Sequence, residues 1–343
     1  MKILLLGCGG NAGINFTKCI HKSTDYEVVG VDMNKYYLDS SNADYKEQII
    51  LSYKKEEILR LIDKYDIKMI HAQPDPEVKY LLSTPELKPY TFNHDLNLLN
   101  RFENKLDCQK IWSTTIKPFT TCSFQEAKEN PALFSEMLYK GNGKVWVRCM
   151  KGAGSKAALP VQTIEQAANW ISYWREIRSI PESDFMLCQF LPGKEYAVQT
   201  FWLNGELVHS QARERLIYFF GALMPSGQTS TPAVAKTISD VRPYATAYKA
   251  IYSIDPNPHG IYCVDMKEDF EGDPIPTEVN YGRFFTTSDF FAELGVNTPL
   301  EYVKSFTDKD YIPNYKINRL DPSYFWIRGL DKLPKLIKYE PFI

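Results

Sequence analysis

A short apolar run that leads straight into a cluster of glycines constrains the fold of this chain more than any other feature. Residues 2–6 are Lys-Ile-Leu-Leu-Leu, and residues 7–13 follow as Gly-Cys-Gly-Gly-Asn-Ala-Gly. Such a run is typical of a buried strand that turns sharply into a helix. The pattern continues with a helix predicted over 14–21, a strand over 26–32, a helix over 54–65 and a strand over 68–71. This alternation predicts an α/β fold that begins with a doubly wound, Rossmann-like parallel sheet.

Two turns of this predicted sheet offer polar groups to a ligand. The glycine turn, which contains Asn11, could cradle phosphates at a helix N-terminus with Asp32 at a ribose, or it could be only a tight turn. Asp75 and Glu77 follow the strand at 68–71, at the edge where such sheets bind ligands. They could face a substrate amine, although a solvated turn is at least as good an interpretation.

Composition excludes several classes of protein. The 343 residues carry 40 basic and 42 acidic side chains, so no excess positive charge indicates a nucleic-acid partner. The longest apolar runs are only a few residues, whereas a membrane span needs about 20. The seven cysteines have no Cys-x-x-Cys spacing, which argues against a zinc site or a disulfide framework. With no secretory signal pattern, we expect a cytoplasmic protein that does not bind membranes.

Further along the chain the pattern changes from helix-rich to strand-rich. One helix is predicted over 93–109, and β-rich sequence begins at residue 185. We predict an N-terminal domain over 1–95, a first lobe over 96–185, a second lobe over 186–304 and a C-terminal extension over 305–343, whose role the sequence does not indicate.

The most informative segment joins two predicted strands, 260–267 and 274–281. If they pair around a turn near residues 271–272, positions that sum to about 543 lie opposite each other, so Asp265 faces Glu278. Asn280 shares a face with Glu278 because side chains alternate along a strand. Two carboxylates and an amide oxygen suit Mg²⁺, and Arg283 could reach a phosphoryl oxygen. The alternative is a solvent-facing pair of carboxylates on an ordinary hairpin.

Two other segments suit a nucleotide. A predicted strand carries Arg148 into a loop over 151–156 whose glycines would let backbone N–H groups approach phosphates, although it lacks the spacing of a Walker loop. A second strand runs through Gln189 and Leu191 into a Pro-Gly turn before Glu195. It could present backbone groups to an adenine edge and a carboxylate to ribose hydroxyls, or it could be a structural hinge.

The order of these pieces closely resembles the ATP-grasp superfamily, and within it the ATP-binding units of carbamoyl phosphate synthase large subunits. The resemblance covers about residues 1–300, and its specificity lies in Glu278-Val-Asn-Tyr-Gly-Arg283 followed by Thr-Thr-Ser-Asp-Phe-Phe. It implies a pre-ATP-grasp N-terminal domain followed by a two-lobed α+β ATP-grasp domain. It also implies activation of a carboxylate by ATP and Mg²⁺ as an acyl phosphate, which a nucleophile, commonly an amine, then attacks.

The resemblance also implies roles for individual residues. Phosphate contacts fall to Arg148 and the loop that contains Lys151, Gly154, Ser155 and Lys156. Gln189 and Leu191 would lie at the adenine, Glu195 at the ribose, and Asp265, Glu278 and Asn280 on magnesium. Arg283 would steady the transferred phosphoryl group, and Arg213 and Arg215 occupy a stretch where many relatives place a substrate or phosphate arginine. Asp265 departs from the commoner glutamate or glutamine, and the Lys151 loop is shorter than in the synthases.

These expectations combine into an ATP-dependent ligase that joins a small-molecule carboxylate to an amine or amino acid. Asn11, Asp75 and Glu77 are the candidate acceptor-binding residues. A small-molecule kinase or a carboxylase is the alternative among enzymes, and a nucleotide sensor without turnover is the alternative from another class. A homodimer is compatible with the sequence.

Overall fold

The computed structural model describes residues 1–49, 54–92, 95–152, 157–229, 231–317 and 320–339. Its first layer is a parallel sheet with strand order β3-β2-β1-β4, as the alternating sequence predicts. The strands are β1 (Lys2–Leu6), β2 (Glu27–Asp32), β3 (Tyr45–Gln48) and β4 (Ile67–Ala72). The helices are α1 (Asn11–Ile20), α2 (Lys35–Ser40), α3 (Lys55–Tyr65) and α4 (Asp75–Ser83). Neither β3 nor α2 was predicted from the sequence.

The single helix predicted over 93–109 is wrong, because two helices meet in this stretch. They are α5 (Leu96–Glu103) and α6 (Lys105–Thr115), and a 3₁₀ turn (Pro85–Tyr90) precedes them. Asn104 ends the first helix with extended backbone, and its side chain accepts a hydrogen bond from the backbone N–H of Asp107. A residue that caps the next helix in this way stops the previous one.

A small antiparallel sheet follows, with strand order β5-β8-β6-β7. Its strands are β5 (Thr121–Ser123), β6 (Val145–Cys149), β7 (Leu159–Val161) and β8 (Phe185–Gln189). The accompanying helices are α7 (Phe124–Glu129), α8 (Pro131–Lys140) and α9 (Ile164–Arg178). Buried residues of these elements form a hydrophobic cluster of their own, as expected for a separate lobe.

The third sheet is larger and holds eight strands. These are β9 (Glu195–Leu203), β10 (Glu206–Tyr218), β11 (Pro232–Thr237), β12 (Gly260–Glu268), β13 (Pro274–Tyr281), β14 (Lys316–Ile317), β15 (Tyr324–Ile327) and β16 (Lys335–Lys338). The helices are α10 (Arg242–Tyr252), α11 (Ser288–Glu293) and α12 (Thr298–Thr307). The order is β13-β12-β9-β10-β11-β15-β16, with β14 beside β10. The C-terminal extension therefore supplies strands to this sheet, while the proposed domain boundaries stay a prediction.

Aromatic rings join the parallel sheet to the large sheet. His71 of β4 stacks on Phe16 at 4.6 Å between ring centroids and meets the edge of Phe284, which follows β13, at 5.2 Å. Phe92 stacks on Tyr302 of α12 at 4.3 Å. These buried contacts hold the segment after β13 against the ends of β1 and β4. Among the described residues, no helix is both long enough and apolar enough to cross a bilayer.

Candidate functional site

One face of the large sheet carries three rows of side chains across strands β10, β9, β12 and β13. The register places Gln211, Gln199, Cys263 and Asn280 in the first row, Arg213, Ala197, Asp265 and Glu278 in the second, and Arg215, Glu195 and Lys267 in the third. Because alternate residues of a strand share a face, these polar groups point to one side of the sheet. The fold therefore assembles charged residues that lie up to about 80 positions apart in the chain.

A cavity of about 410 Å³ lies over this face, within the size range of small-molecule sites. All three sheets contribute to its lining. The predicted site residues that line it are Asn11, Arg148, Gln189, Leu191, Glu195, Arg213, Arg215, Asp265, Glu278, Asn280 and Arg283. Most of the groups that the sequence singled out are therefore brought together in one place.

The β12–β13 hairpin has the predicted register, with Asp265 opposite Glu278. Glu278 accepts a hydrogen bond from Nη2 of Arg148 at 2.6 Å, and Nζ of Lys105 lies 3.7 Å from the same carboxylate oxygen. Burial alone would raise the pKa of Glu278, but Lys105, Arg148 and Arg283 outweigh it and lower the pKa to about 2. This carboxylate is ionised at any physiological pH.

Asp265 is held by a different arginine. Its carboxylate forms an ion pair with Arg215 of β10. Burial raises the pKa of Asp265 above its ordinary value, since desolvation and the neighbouring Glu278 outweigh the attraction of Arg215. The two opposed carboxylates thus differ in how firmly they keep their negative charge.

Arg283 links the end of β13 to the parallel sheet. Its Nε lies 2.5 Å from one carboxylate oxygen of Asp75, its Nη2 lies 3.2 Å from the other, and it also donates to the amide oxygen of Asn280. Burial raises the pKa of Asp75 although Arg283 opposes the shift. Asp75 is therefore already neutralised by a guanidinium, and it does not line the cavity.

Arg213 is the exception among these arginines. It is 1% exposed, lies 4.5 Å from the ring centroid of Phe285 and donates to the hydroxyl of Thr287. Within the described part of the chain, no carboxylate forms an ion pair with it, unlike Arg215 and Arg283, and its Nε, like that of Arg215, has no hydrogen-bond partner. Burial and the nearby Arg215 lower the pKa of Arg213 to about 9. A buried cation without a counter-charge is costly to fold, and it is a good binding point for an anion.

The other end of the cavity is largely apolar. Phe119, Trp146 and Leu191 line it together with Gln189. Glu195 borders this region and is held by Nζ of Lys267 at 2.7 Å and by the side chains of Tyr218 and Gln228. Flat apolar walls beside a few polar groups suit a heterocyclic base and its sugar.

Three hard oxygen donors of the cavity fit a magnesium ion. Asp265 and Glu278 face each other on neighbouring strands, and Asn280 lies on the same face as Glu278. Mg²⁺ binds proteins through one or two carboxylates and leaves its other positions to water or phosphate oxygens. The chemistry of this donor set and its place beside four arginines therefore suit a metal that is bound together with phosphates.

Several predicted residues lie elsewhere. Lys151 is exposed and does not line the cavity, and Gly154, Ser155 and Lys156 fall outside the described residues. The loop predicted after the third strand, over 73–77, ends at Pro74, because Asp75 and Glu77 form the first turn of α4. Glu77 is 5% exposed and does not line the cavity, so its predicted role in acceptor binding stays a prediction.

Two residues at or near the cavity, Lys105 and Gln109, were not predicted from the sequence, whereas Gln73 lies in the loop over 73–77 that the sequence places beside the substrate. Lys105 is 5% exposed and donates to the carbonyl of Gly152 at 2.6 Å, and burial lowers its pKa. Gln73 and Gln109 are buried amides that line the cavity. One signal for Lys105 was available, since it begins a helix, where the helix dipole disfavours a cation unless anions lie nearby.

Three solved structures of enzymes have the same fold as this chain. An L-amino acid ligase from Bacillus licheniformis matches with a TM-score of 0.66 at 10% identity, over 95% of this chain and 78% of that chain. An N5-carboxyaminoimidazole synthetase from Staphylococcus aureus, complexed with ADP, gives 0.64 at 14% over 95% and 81%. A biotin carboxylase from Campylobacter jejuni in a β-γ-ATP complex gives 0.69 at 13% over 95% and 74%. In sequence, no family model and no curated protein matches the chain. The likeness is one of fold.

Proposed function

We propose that this chain is an ATP-dependent ligase. It has the ATP-grasp fold, which its sequence predicts and which these neighbours share. It would activate a small-molecule carboxylate as an acyl phosphate and join it to an amine. The observation that carries the proposal is the second row of the sheet face. There, two carboxylates paired with arginines lie beside Arg213, a buried arginine that forms no ion pair with any described residue.

The nucleotide would span the cavity from its apolar end to the charged rows. The base would lie among Trp146, Phe119 and Leu191, near Gln189, and Glu195 would accept hydrogen bonds from ribose hydroxyls. The phosphates would then reach Arg148 and Lys105. Lys151 and the residues 154–156 keep their proposed role in covering the phosphates.

Asp265, Glu278 and Asn280 would hold Mg²⁺, which when bound neutralises phosphate charge and orients the transferred group. In the structure these oxygens contact arginines. Binding of phosphates would let Arg148, Arg215 and Arg283 exchange protein oxygens for phosphoryl oxygens. Such an exchange keeps the charges of the cavity balanced before and after binding.

The activated carboxylate would lie between Arg213 and Arg283. Arg213 would supply the positive charge that pairs with this carboxylate, and Arg283 would steady the phosphoryl group during transfer. A carboxylate oxygen attacks the γ-phosphorus and the bond to the β-phosphate breaks, which leaves ADP and an acyl phosphate. An amine then attacks the carbonyl carbon, phosphate leaves, and the amine gives its proton to phosphate or water. No dedicated base is needed because the acyl phosphate is reactive, so the protein contributes mainly position and charge.

Release of ADP in the presence of panels of carboxylates and amines tests this proposal. A ligase releases ADP only when a carboxylate is present, and the amide product requires the amine as well. ADP release that depends on a carboxylate but yields only a phosphorylated product would indicate a kinase. ADP release that requires bicarbonate would indicate a carboxylase. If nucleotide binds but no combination releases ADP, the sensor alternative replaces the proposal.

A further inference from the structure

The N-terminus of α1 opens into the cavity at the end away from the base pocket. Gly10, Asn11, Ala12 and Gly13 all line the cavity there. Gly10 is the N-cap residue of this ten-residue helix, which has no side-chain cap and no acidic residue in its first turn. The first N–H groups of a helix have no intrahelical partners and carry the positive end of the helix dipole. This wall of the cavity therefore presents backbone donors.

The glycines of this turn differ in whether the protein leaves room for a side chain at their positions. A Cβ atom at Gly7 would lie 2.4 Å from Pro74, one at Gly9 would lie 2.1 Å from the carbonyl oxygen of Tyr37, and one at Gly13 would lie 2.4 Å from the carbonyl oxygen of Gly7. Packing requires these three glycines. At Gly10 the nearest atom would be 3.8 Å away, so nothing in the protein excludes a side chain there. Gly10 is exposed and is one of the residues that line the cavity.

Gln73 adds a second donor to the same wall. It is 3% exposed and lines the cavity, and the turn that follows it contacts the glycine turn, because Pro74 packs on Gly7. Its Oε1 accepts a hydrogen bond from the backbone N–H of Phe284 at 3.2 Å, which fixes the orientation of the amide. Within the described residues its Nε2 has no hydrogen-bond partner. A buried amide donor without a partner is costly, so it indicates a ligand atom that accepts.

Acidic groups near this wall are occupied or turned away. Asp32 accepts from the backbone N–H groups of Gly9 and Asn34 and does not line the cavity. Asp75 is paired with Arg283, and Glu77 lies outside the cavity lining. The wall therefore combines the N-terminus of α1, which has no side-chain cap, with the amide of Gln73. Its chemistry suits an anionic group and not the ammonium group of a substrate.

We infer that the N-terminus of α1 and Gln73 bind the carboxylate of an α-amino acid, which is the nucleophile of the proposed ligase. The inference rests on the proposed function, because it names the amine substrate of that same site. The amino acid would present its amine toward the centre of the cavity, where the acyl phosphate forms beside Arg213 and Arg283. A phosphate-bearing amine has the same recognition chemistry, and the experiment separates the two sources.

The decisive variant is Gly10→Asp. The backbone of Gly10 is extended, with φ −75° and ψ 160°, which any residue adopts, and aspartate is a favoured N-cap residue. The new carboxylate would bind the helix N–H groups and fill the subsite without disturbing the fold.

Gln73→Glu is a second variant, since it keeps the acceptor for Phe284 and replaces the free donor with an anion. Val241→Asp is the matched control, because exposed Val241 is the uncapped N-cap residue of α10 and lies outside the cavity.

Turnover is compared between matched acceptors, each tested with the carboxylate panel: alanine against ethylamine, and phosphoethanolamine against ethanolamine. We expect kcat/KM for alanine to exceed that for ethylamine by roughly tenfold or more, the value of one charge-assisted hydrogen bond. Gly10→Asp and Gln73→Glu should remove this preference, while Val241→Asp keeps it. Equal use of alanine and ethylamine by the wild type would overturn the amino-acid assignment, and a preference for phosphoethanolamine alone would replace it with a phosphate-bearing amine.

A binding measurement decides the subsite without turnover. Inorganic phosphate is titrated into protein saturated with MgADP, and the melting temperature is followed. We expect phosphate to raise the Tm of the wild type and of Val241→Asp clearly more than that of Gly10→Asp. Equal shifts in all three proteins would overturn the anion subsite. If no acceptor releases ADP, the proposed ligase activity and the amino-acid assignment fail together, whereas the phosphate titration still decides whether the anion subsite exists.

Discussion

The floor of the cavity is the face of the large sheet that carries Asp265 and Glu278, and its N-terminal wall is the start of α1 with Gln73. The two regions differ in what their polar groups bind within the protein. On the floor, Glu278 and Asp265 are each paired with an arginine, so charges already balance charges there. On the wall, backbone N–H groups at the start of α1 and the amide of Gln73 offer donors without charge. The floor can bind phosphates and a metal by exchanging ion-pair partners. The wall can bind an anion through donors that have no side-chain partner among the described residues. Changes on the floor should therefore affect both stability and turnover, and changes at the wall mainly the choice of substrate.

The largest effect is expected for Glu278→Gln. This substitution removes negative charge at the proposed metal position, and we expect ADP release to fall by roughly 100-fold or more. The free energy of unfolding should fall by about 3 kcal/mol, because the amide oxygen still accepts from Arg148 but the charge whose stabilisation lowers the pKa of Glu278 is lost. Steady-state ADP release and urea unfolding measure the two effects. Glu271→Gln on the exposed hairpin turn is the matched control, and near-normal turnover by Glu278→Gln would count against the metal assignment.

Two arginines of β10 should respond in opposite directions to the same substitution. Arg215→Met strands the buried carboxylate of Asp265 and should lower the free energy of unfolding by about 3 kcal/mol. Arg213→Met removes a buried cation that has no anion among the described residues, and it should raise that free energy by about 1 kcal/mol. Urea unfolding without ligand checks both. The argument for an anion at Arg213 would be lost if both variants were destabilised equally.

Lowering the pH should reduce the free energy of unfolding, because Glu278 becomes protonated. Because its pKa is lowered from 4.5 to about 2 in the folded protein, the unfolded chain takes up the proton first as the pH falls. This contribution to stability is complete above about pH 5 and is lost as the pH approaches 2. Comparing the unfolding free energy of the wild type and Glu278→Gln over this range measures the contribution of Glu278 together with its effect on the pKa of Asp265. Parallel pH profiles would show that Glu278 is not stabilised as an anion.

The smallest effect on turnover is expected for substitutions of Asp75 and Glu77, in the first turn of α4. Asp75→Asn removes the carboxylate that neutralises Arg283, so turnover should change by only a few-fold while ATP affinity stays the same. Glu77→Gln, at a residue that does not line the cavity, should leave the choice of acceptor unchanged. Kinetics with several acceptors and calorimetry with ATP measure these quantities. A change in acceptor choice by Glu77→Gln would restore the predicted role of that residue.

The sequence predicted the floor better than the wall because the two depend on different physics. The hairpin register followed from a glycine-containing turn and strand alternation, both of which are local, so Asp265 and Glu278 could be paired from numbering alone. The sequence places Asp75 and Glu77 in the loop that follows the third predicted strand. In the protein the proline after Asp75 stands in the first turn of α4, and both carboxylates favour the positive end of that helix.

Burial is what the sequence could not show. Gln73 and Lys105 are ordinary polar residues by type, and only long-range packing places them at the cavity or beside Glu278. Arg213 and Arg215 look equivalent in sequence, since they share a strand face. Their difference arises because Asp265 lies within reach of one and not of the other. The segment after residue 305 has no strong strand pattern, and its strands form against an existing sheet edge.

Strands β15 and β16 come after every described residue that lines the cavity, yet β15 pairs with β11, and Arg328 beside it donates to the carbonyls of Pro232 and Thr286. During synthesis the N-terminal end of a chain emerges from the ribosome first. The parallel sheet can therefore form early, whereas the edge of β11 waits, unpaired, until more than 320 residues have been made. A nascent chain at that stage would expose a strand edge to chaperones, and the contacts of Arg328 with Pro232 and Thr286 would form only after β15 has been made.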